Sequence, residues 1–464
     1  MVPAVKKCVS HIMGHFTEPP APPSIEEQQY YYYGLPSKSK LVARSSSDPW
    51  AFRDNWSTPT ADTKEVEAKR KAKMPIEKAL GVVGPHIIAD LWNVSTGPLR
   101  IEILQALSGV KWTAIDILRI GYVKIPNSDE KPEQPITLLI SVEPDSISWS
   151  QGYEVVMQCR QILQRHGIND VHWVSIAPFD QPDRQGTKCI YLRQKITGDV
   201  FALTCRHVLF DKSSPNEEYR YNNLDPRTVI QPCNESFNKA KSDVAGFVDK
   251  FTLREGWEEW TPSYFSSEDA KLHETRMQAK LRPYEQLLQH MENLDDPASR
   301  IIGHVIFSPK FGTCTTASGS RRLRDWALIE LHPGKHRSHL EDLENRVIIG
   351  DCGTKPIVSA MRESMGPDTK SRLCYSEKSH TVRLQGKLSE LEMMCPRTLT
   401  GEHGPATMVA KHGSKSGLTV GFTNNVQSVI RHPYDDDITS DELCIVGHRP
   451  REGRLTSFSG AGDS

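Results

Sequence analysis

The feature that most constrains the fold is a series of short apolar runs that begins after Pro178. Each run is four to eight residues long. The runs are separated by Gly, Pro, Asp and Asn, a pattern typical of an antiparallel sandwich or barrel. The runs are Cys189–Arg193, Val200–Thr204, Arg300–Phe307, Trp326–Leu331, Thr381–Leu384 and Leu443–Val446. Residues 177–464 are therefore predicted to form a mainly β domain.

One segment interrupts this β pattern, at about residues 266–292. It is charged and carries Leu or Met at helical spacing, which predicts an inserted helix or helical hairpin. Pro283 within it predicts a kink or a corner, because proline removes a helical hydrogen bond.

Residues 76–176 show a different, α/β pattern. Strands are predicted at Ala114–Val123, Ile136–Val142 and Val171–Ile176, with a helix before the last strand that is capped at Ser150 and stopped by Gly167. The segment has no Gly-rich phosphate loop, so no nucleotide site is expected. The sequence assigns this small α/β module no chemistry, and a protein partner is the role we consider for it.

Residues 1–75 lack a steady period of 2 or 3.6 residues and are predicted to be a disordered tail or linker. The run Tyr30–Tyr33 suggests a docking or phosphorylation site, but we interpret it as a sticky patch in the disordered tail.

Composition excludes several classes of function. The chain has 57 Lys+Arg against 58 Asp+Glu, so the basic excess of a nucleic-acid-binding protein is missing. No run of about 18 apolar residues is present, which argues against a membrane span. The start of the chain has no signal-peptide pattern, and the ten cysteines include no C-x-x-C pair. We therefore expect reduced thiols and a cytoplasmic or otherwise intracellular location.

Three short motifs in the β region carry potential chemistry. They are a strand that ends at His207, an aspartate, Asp325, that precedes an apolar strand, and a glycine turn that leads to Ser464. Nucleophilic catalysis by serine needs a base to accept the Oγ proton and a carboxylate to orient that base. Their occurrence in the order His, Asp, Ser in one predicted β domain favours a catalytic triad over coincidence.

These motifs resemble those of the trypsin-like serine peptidases, which have the chymotrypsin fold. Thr204–His207 is similar to the family's T-A-A-H, with Cys-Arg in place of two small residues. Asp325–Leu331 resembles D-h-A-L-h-x-L, and Gly462–Ser464 resembles the start of G-D-S-G. Lys411–Gly421 resembles a segment early in the family's second barrel. The divergent motifs and long insertions suggest an intracellular branch of the kind found in fungi.

The resemblance implies a double β-barrel and the hydrolysis of peptide bonds through an acyl-enzyme, with a peptide or protein as substrate and no cofactor. His207 would be the general base, Asp325 would orient it, and Ser464 would be the nucleophile. The backbone N–H groups of Gly462 and Ser464 would form the oxyanion hole.

The sequence departs from the family at its end, because it stops at Ser464. The second barrel is therefore expected to be incomplete, with the chain truncated at the nucleophile. The alternative is a catalytically inactive, peptidase-like interaction or scaffold module.

His332, His336 and His339 form a rival, metal-binding motif. Pro333 and Gly334 break any helix that would align the first two histidines, and no cysteine or carboxylate pattern supports them. No metal site is therefore expected.

Overall fold

The computed structural model describes residues 21–36, 39–46, 52–54, 73–124, 132, 134–178, 190–210, 214–255, 267–336, 338–349, 357, 380–395, 400–401, 404–413, 416–432, 438–448 and 458–459. Within these ranges the protein is mainly β, with several sheets and a few helices. The prediction of a mainly β structure is therefore confirmed.

The described helices are α1 (Ile25–Tyr30), α2 (Ile87–Trp92), α3 (Pro98–Ala106), α4 (Trp149–Arg165), α5 (Arg206–Leu209), α6 (Asn234–Glu255), α7 (Ser267–Glu292) and α8 (Glu390–Met394). The first twelve strands are β1 (Ala43–Arg44), β2 (Phe52–Asp54), β3 (Lys73–Pro75), β4 (Lys78–Gly81), β5 (Trp112–Tyr122), β6 (Ile136–Val142), β7 (Val171–Pro178), β8 (Ile190–Arg193), β9 (Val200–Thr204), β10 (Tyr219–Arg220), β11 (Thr228–Ile230) and β12 (Ile301–Ser308). The others are β13 (Thr313–Thr315), β14 (Arg321–Leu323), β15 (Ala327–Leu331), β16 (Arg346–Ile348), β17 (Thr381–Arg383), β18 (Thr400–Gly401), β19 (Gly404–Pro405), β20 (Met408–Gly413), β21 (Gly417–Thr423), β22 (Ser428–Arg431), β23 (Thr439–Glu442) and β24 (Ile445–Gly447).

The first sheet has seven strands, in the order β1-β7-β6-β5-β22-β23, and β4 also pairs with β5. β6 and β7 run parallel and are connected by α4, which confirms the predicted strand–helix–strand unit. A large apolar core includes Ile88 of α2, Ile103 of α3 and Val156 of α4 together with residues of this sheet. Burying these side chains is the main stabilising contribution in this part of the molecule.

The C-terminal part of the chain completes this first sheet. Val429 of β22 lies opposite Ile115 of β5, and β23 pairs with β22. The indole N–H of Trp92 donates to the backbone oxygen of Gln427 at 2.9 Å. The buried Asn424 side chain accepts from the Val83 N–H at 2.9 Å. Strands Ser428–Arg431 and Thr439–Glu442, which the sequence assigns to the peptidase-like region, therefore lie in the sheet of the α/β module.

Residues 24–36 and 39–46, which the sequence places in a disordered tail, include a helix and a strand. Helix α1 begins after Ser24, whose side chain accepts a hydrogen bond from the Glu27 N–H, and β1 pairs with β7. Tyr31 and Tyr32 are buried in a second apolar cluster together with Leu118 and Ile120 of β5. Tyr31 and Tyr32 cover the face of the sheet that carries Leu118 and Ile120. The local periodicity of the sequence does not reveal this role. The rest of this predicted tail lies largely outside the described residues.

The predicted cap of α4 is wrong by two residues. Ser148, and not Ser150, is the N-cap, because its hydroxyl accepts from the Gln151 N–H while the Gln151 side chain accepts from the Ser148 N–H. This reciprocal pair is a capping box, which satisfies two otherwise unpaired donors. The predicted stop is confirmed: the helix ends at Arg165 and Gly167 has a φ of +76°.

The second sheet has six antiparallel strands, in the order β10-β12-β15-β9-β8, and β11 also pairs with β12. A third sheet has the order β20-β21-β24 and holds two parts of the segment Lys411–Gly421, which are residues 411–413 in β20 and 417–421 in β21. Two-stranded ribbons pair β2 with β3, β13 with β14, β16 with β17 and β18 with β19. As far as the chain is described, none of these sheets closes into a barrel.

Two helices separate β11 from β12. They are α6 and α7, and the rings of Phe247 and Tyr284 lie 4.1 Å apart between them. Pro283 lies inside α7 and does not end it. Helix α7 lies where the sequence predicts an insertion, and it is one helix and not a hairpin, whereas α6 was not predicted.

Two further observations concern the cysteines and the character of the helices. The described cysteines form no disulfide with one another; they are Cys159, Cys205, Cys233, Cys314, Cys395 and Cys444. Among the described residues, no helix combines the length and the apolar character that crossing a membrane requires.

Candidate active site

His207 and Asp325 are brought together by the pairing of two neighbouring strands. Thr204 at the end of β9 lies opposite Ala327 at the start of β15. His207 follows Thr204 by three residues and lies in the short helix α5, whereas Asp325 precedes Ala327 by two. Both residues therefore emerge at the same end of the second sheet.

The two side chains make a direct contact. Nδ1 of His207 lies within hydrogen-bond distance of Oδ2 of Asp325. The other carboxylate oxygen, Oδ1, accepts from the backbone N–H of His207 at 2.9 Å. The carboxylate thus holds both the ring and the backbone of the histidine. The contact at Nδ1 fixes the orientation of the imidazole ring.

This pair is partly accessible to solvent. The His207 side chain is 22% exposed and the Asp325 side chain is 12% exposed. A base in such a position can reach a substrate, and its orienting carboxylate is shielded from water, which strengthens the interaction between them.

A chain of buried hydrogen bonds links the backbone segments that carry His207 and Asp325. Arg206 Nη1 donates to Ser308 Oγ at 2.9 Å, and Ser308 Oγ donates to the backbone oxygen of Trp326 at 2.9 Å. Arg206 precedes His207 and Trp326 follows Asp325, so Ser308 couples the two short segments that carry the pair. Ser308 itself is completely buried.

Arg206 is held by several other contacts. Its Nη2 donates to the Glu217 backbone oxygen at 2.8 Å, and its guanidinium lies 4.2 Å from the Phe210 ring centroid. Burial lowers the pKa of Arg206, and repulsion from Arg227 acts in the same direction, whereas the Asp325 carboxylate opposes both. In the sequence, Arg206 stands out only because it replaces a small residue of the T-A-A-H motif. Nothing in the sequence indicates a role for Ser308.

His432, at the end of β22, lies near the same carboxylate. Its Nε2 is 2.7 Å from Ser440 Oγ, and its ring makes an edge contact with Phe311. Burial lowers the pKa of His432, and the negative charge of Asp325 partly offsets that effect. A titratable group from the first sheet is thus coupled electrostatically to the candidate site.

The predicted nucleophile Ser464 lies outside the described residues, as do Gly462 and Asp463. The nearest described residues are Phe458 and Ser459. The backbone oxygen of Phe458 accepts from Thr419 Oγ1 of β21 at 2.7 Å. The chain six residues before Ser464 therefore lies against the third sheet.

The histidines of the rival metal motif have other contacts. His332 Nε2 lies 3.2 Å from Nδ1 of His304 on β12. His332 and His336 flank a short 3-10 turn, Pro333–Lys335. A group with the right donors instead lies at the candidate site, where one donor atom from each of Cys205, His207 and Asp325 falls within 4.8 Å of the others.

Comparison with known proteins adds no family assignment. No protein-family model matches the chain. Its sequence also has no significant match among curated proteins. The resemblance to trypsin-like peptidases therefore rests on the sequence motifs alone.

Proposed function

We propose that the protein is a serine endopeptidase-like hydrolase of the trypsin-like type. The observation that carries the proposal is the His207–Asp325 pair, in which one carboxylate contacts the imidazole Nδ1 and accepts from the His207 backbone N–H. A serine peptidase needs this arrangement, because it fixes the tautomer and the direction of the base.

The proposed fold is a divergent form of the double β-barrel. The six-stranded sheet that carries His207 and Asp325 would correspond to the first barrel. The sheet β20-β21-β24, against which Phe458 lies, would correspond to part of the second. The nucleophile of such enzymes is delivered from the second barrel to a base and an aspartate on the first.

In the proposed reaction, Ser464 Oγ attacks the carbonyl carbon of a peptide bond while His207 Nε2 accepts the hydroxyl proton. The backbone N–H groups of Gly462 and Ser464 stabilise the oxyanion that forms. His207 then donates the proton to the leaving amine. A water molecule hydrolyses the resulting acyl-enzyme by the same steps in reverse order.

A fluorophosphonate probe tests the proposal, because it reacts only with an activated serine. The 464-residue chain and Ser459→Ala should be labelled, whereas Ser464→Ala and His207→Ala should not be. Ser459 is the matched control, since it precedes Ser464 by five residues in the same segment.

Labelling that survives Ser464→Ala would refute the assignment of the nucleophile. If the unchanged chain is never labelled although it is folded, the inactive interaction module is the better description.

A further inference from the structure

Three metal-binding side chains of different chemistry meet at the candidate active site. One donor atom from each of Cys205, His207 and Asp325 lies within 4.8 Å of the other two. All three residues are half-buried. Among the residues that the structure describes, these three form the single cluster of at least three such side chains.

The donor set suits zinc. Zn²⁺ binds thiolate sulfur, imidazole nitrogen and carboxylate oxygen, usually with four ligands. Metal–ligand distances of about 2.0–2.3 Å place neighbouring donors of a tetrahedron roughly 3.5 Å apart. Donor atoms that lie within 4.8 Å of one another are therefore near the spacing of a tetrahedral site. The partial exposure of His207 leaves room for a fourth ligand from solvent.

The backbone around these donors is held in place. Cys205 is the N-cap of α5, and it follows Thr204, which pairs across the sheet with Ala327. The hydrogen bonds from Arg206 to Ser308 and from Ser308 to Trp326 fix the chain on either side. A preorganised backbone lowers the cost of gathering three ligands around one ion.

We propose that Cys205, His207 and Asp325 form a reversible Zn²⁺ site. On binding, the Cys205 thiol releases its proton to solvent and the thiolate, the neutral imidazole and the carboxylate each donate an electron pair to the metal. Because the bound ion engages both His207 and Asp325, it prevents this pair from acting as base and orienting group. This inhibitory consequence rests on the proposed peptidase function, whereas metal binding itself does not.

Cobalt titration of the metal-free chain tests the binding, because Co²⁺ gives a thiolate charge-transfer absorption when a cysteine is its ligand. One equivalent should produce the band, and Zn²⁺ should displace it. Cys205→Ala should abolish the band and weaken Zn²⁺ binding at least about 100-fold, since loss of even a second-shell partner costs 10- to 100-fold. Cys233→Ala is the control, because Cys233 is an exposed free thiol far from the cluster in sequence.

A band that persists in Cys205→Ala, or the lack of a saturable band in the unchanged chain, would overturn the proposed site. Fluorophosphonate labelling separates this outcome from failure of the peptidase proposal. Zn²⁺ at saturation should slow labelling of the unchanged chain at least tenfold and should leave the rate of Cys205→Ala insensitive to the metal. Cobalt binding through Cys205 without any labelling would support the metal site and contradict the peptidase proposal. Labelling without metal binding would support the peptidase proposal and contradict the metal site.

Discussion

Arg100 of α3 and Asp441 of β23 form an ion pair in which neither side chain is exposed to solvent. The same carboxylate accepts from Ser95 Oγ at 2.9 Å and from the Arg321 backbone N–H at 2.8 Å. Asp441 therefore joins the helical layer of the first sheet, the ribbon β13–β14 and the C-terminal strands. Because the pair is shielded from water, each partner depends strongly on the other.

Asp441→Asn should lower the free energy of unfolding by about 3–5 kcal/mol, since it leaves the buried Arg100 charge without its counterion. Urea unfolding followed by circular dichroism measures the loss. The control is Glu143→Ala, which breaks the exposed Lys111–Glu143 pair at 3.6 Å and should cost less than about 1 kcal/mol. Equal losses in the two variants would show that the buried pair is not a structural link.

Ser308→Ala should remove the hydrogen bonds that link the segments carrying His207 and Asp325. The change removes the acceptor of Arg206 and the donor to Trp326, at a cost of about 1–3 kcal/mol for buried polar groups left unpaired. It should also alter the downfield proton resonance of the His207–Asp325 hydrogen bond. Ser318→Ala, at an exposed serine, is the control and should leave that resonance unchanged. A stability loss with an unaltered resonance would mean that Ser308 stabilises the sheet without positioning the pair.

Asp325→Asn should reduce the rate of fluorophosphonate labelling by about 10³- to 10⁴-fold, because an amide in this position favours the wrong imidazole tautomer. The rate is measured with excess probe over time. Asp295→Asn provides the control, because Asp295 is a half-exposed carboxylate paired with Lys241. A reduction of less than tenfold would argue against an orienting role for Asp325.

Lys78 should make stability depend on pH, because burial lowers the pKa of its ammonium well below the ordinary value. The unfolded chain, with a lysine pKa of about 10.4, then binds more protons than the folded chain between the two pKa values. The free energy of unfolding therefore rises with pH across that window and falls as the pH is lowered through it.

Lys78→Met should raise the free energy of unfolding at about pH 7 by at least ~1 kcal/mol and flatten its rise toward pH 9.5. Lys111→Met, at an exposed lysine of the same region, should do neither. Measurements stay below pH 10, because burial raises the pKa of Tyr31 and that group acts in the opposite direction at higher pH. A destabilised Lys78→Met would mean that the contact between the ammonium and the Tyr31 ring, at 3.3 Å, outweighs the cost of burial.

Gly303→Ala should disrupt the second sheet. A Cβ at this position of β12 would overlap the backbone oxygen of Glu330 on β15, so the two strands would have to separate. We expect a loss of at least about 3 kcal/mol in urea unfolding. Gly246→Ala is the matched control, because a Cβ there meets open space in α6 and should stabilise the helix by up to about 1 kcal/mol. Similar stability of the two variants would contradict the close approach of β12 and β15.

Much of the secondary structure follows from the sequence because alternation and turn residues are local. Ile136–Val142 and Val200–Thr204 are found at the predicted bounds, and the other predicted strands differ by one or two residues, whereas strands such as β4, β22 and β23 were not predicted. The cap of α4 was misplaced because Ser148 and Ser150 are both good capping residues. Only the reciprocal contact with Gln151 distinguishes them.

The candidate site was predictable in part. The motifs around His207 and Asp325 are short and chemically distinctive, and strand pairing brings them into contact. Ser308 was not predictable, since its role depends on the side chain of Arg206, which approaches it from a helix about 100 residues away in sequence. The placement of Ser464 stays a prediction.

The sequence by itself determined several of the strands and which residue types are available for chemistry at their ends. The tertiary structure decided which strands become neighbours: β22 joins β5 across more than 300 residues, and Tyr31 and Tyr32 become core. The physical reason is that periodicity reports whether a segment has an apolar face. The partner that covers that face is chosen by the packing of the whole chain.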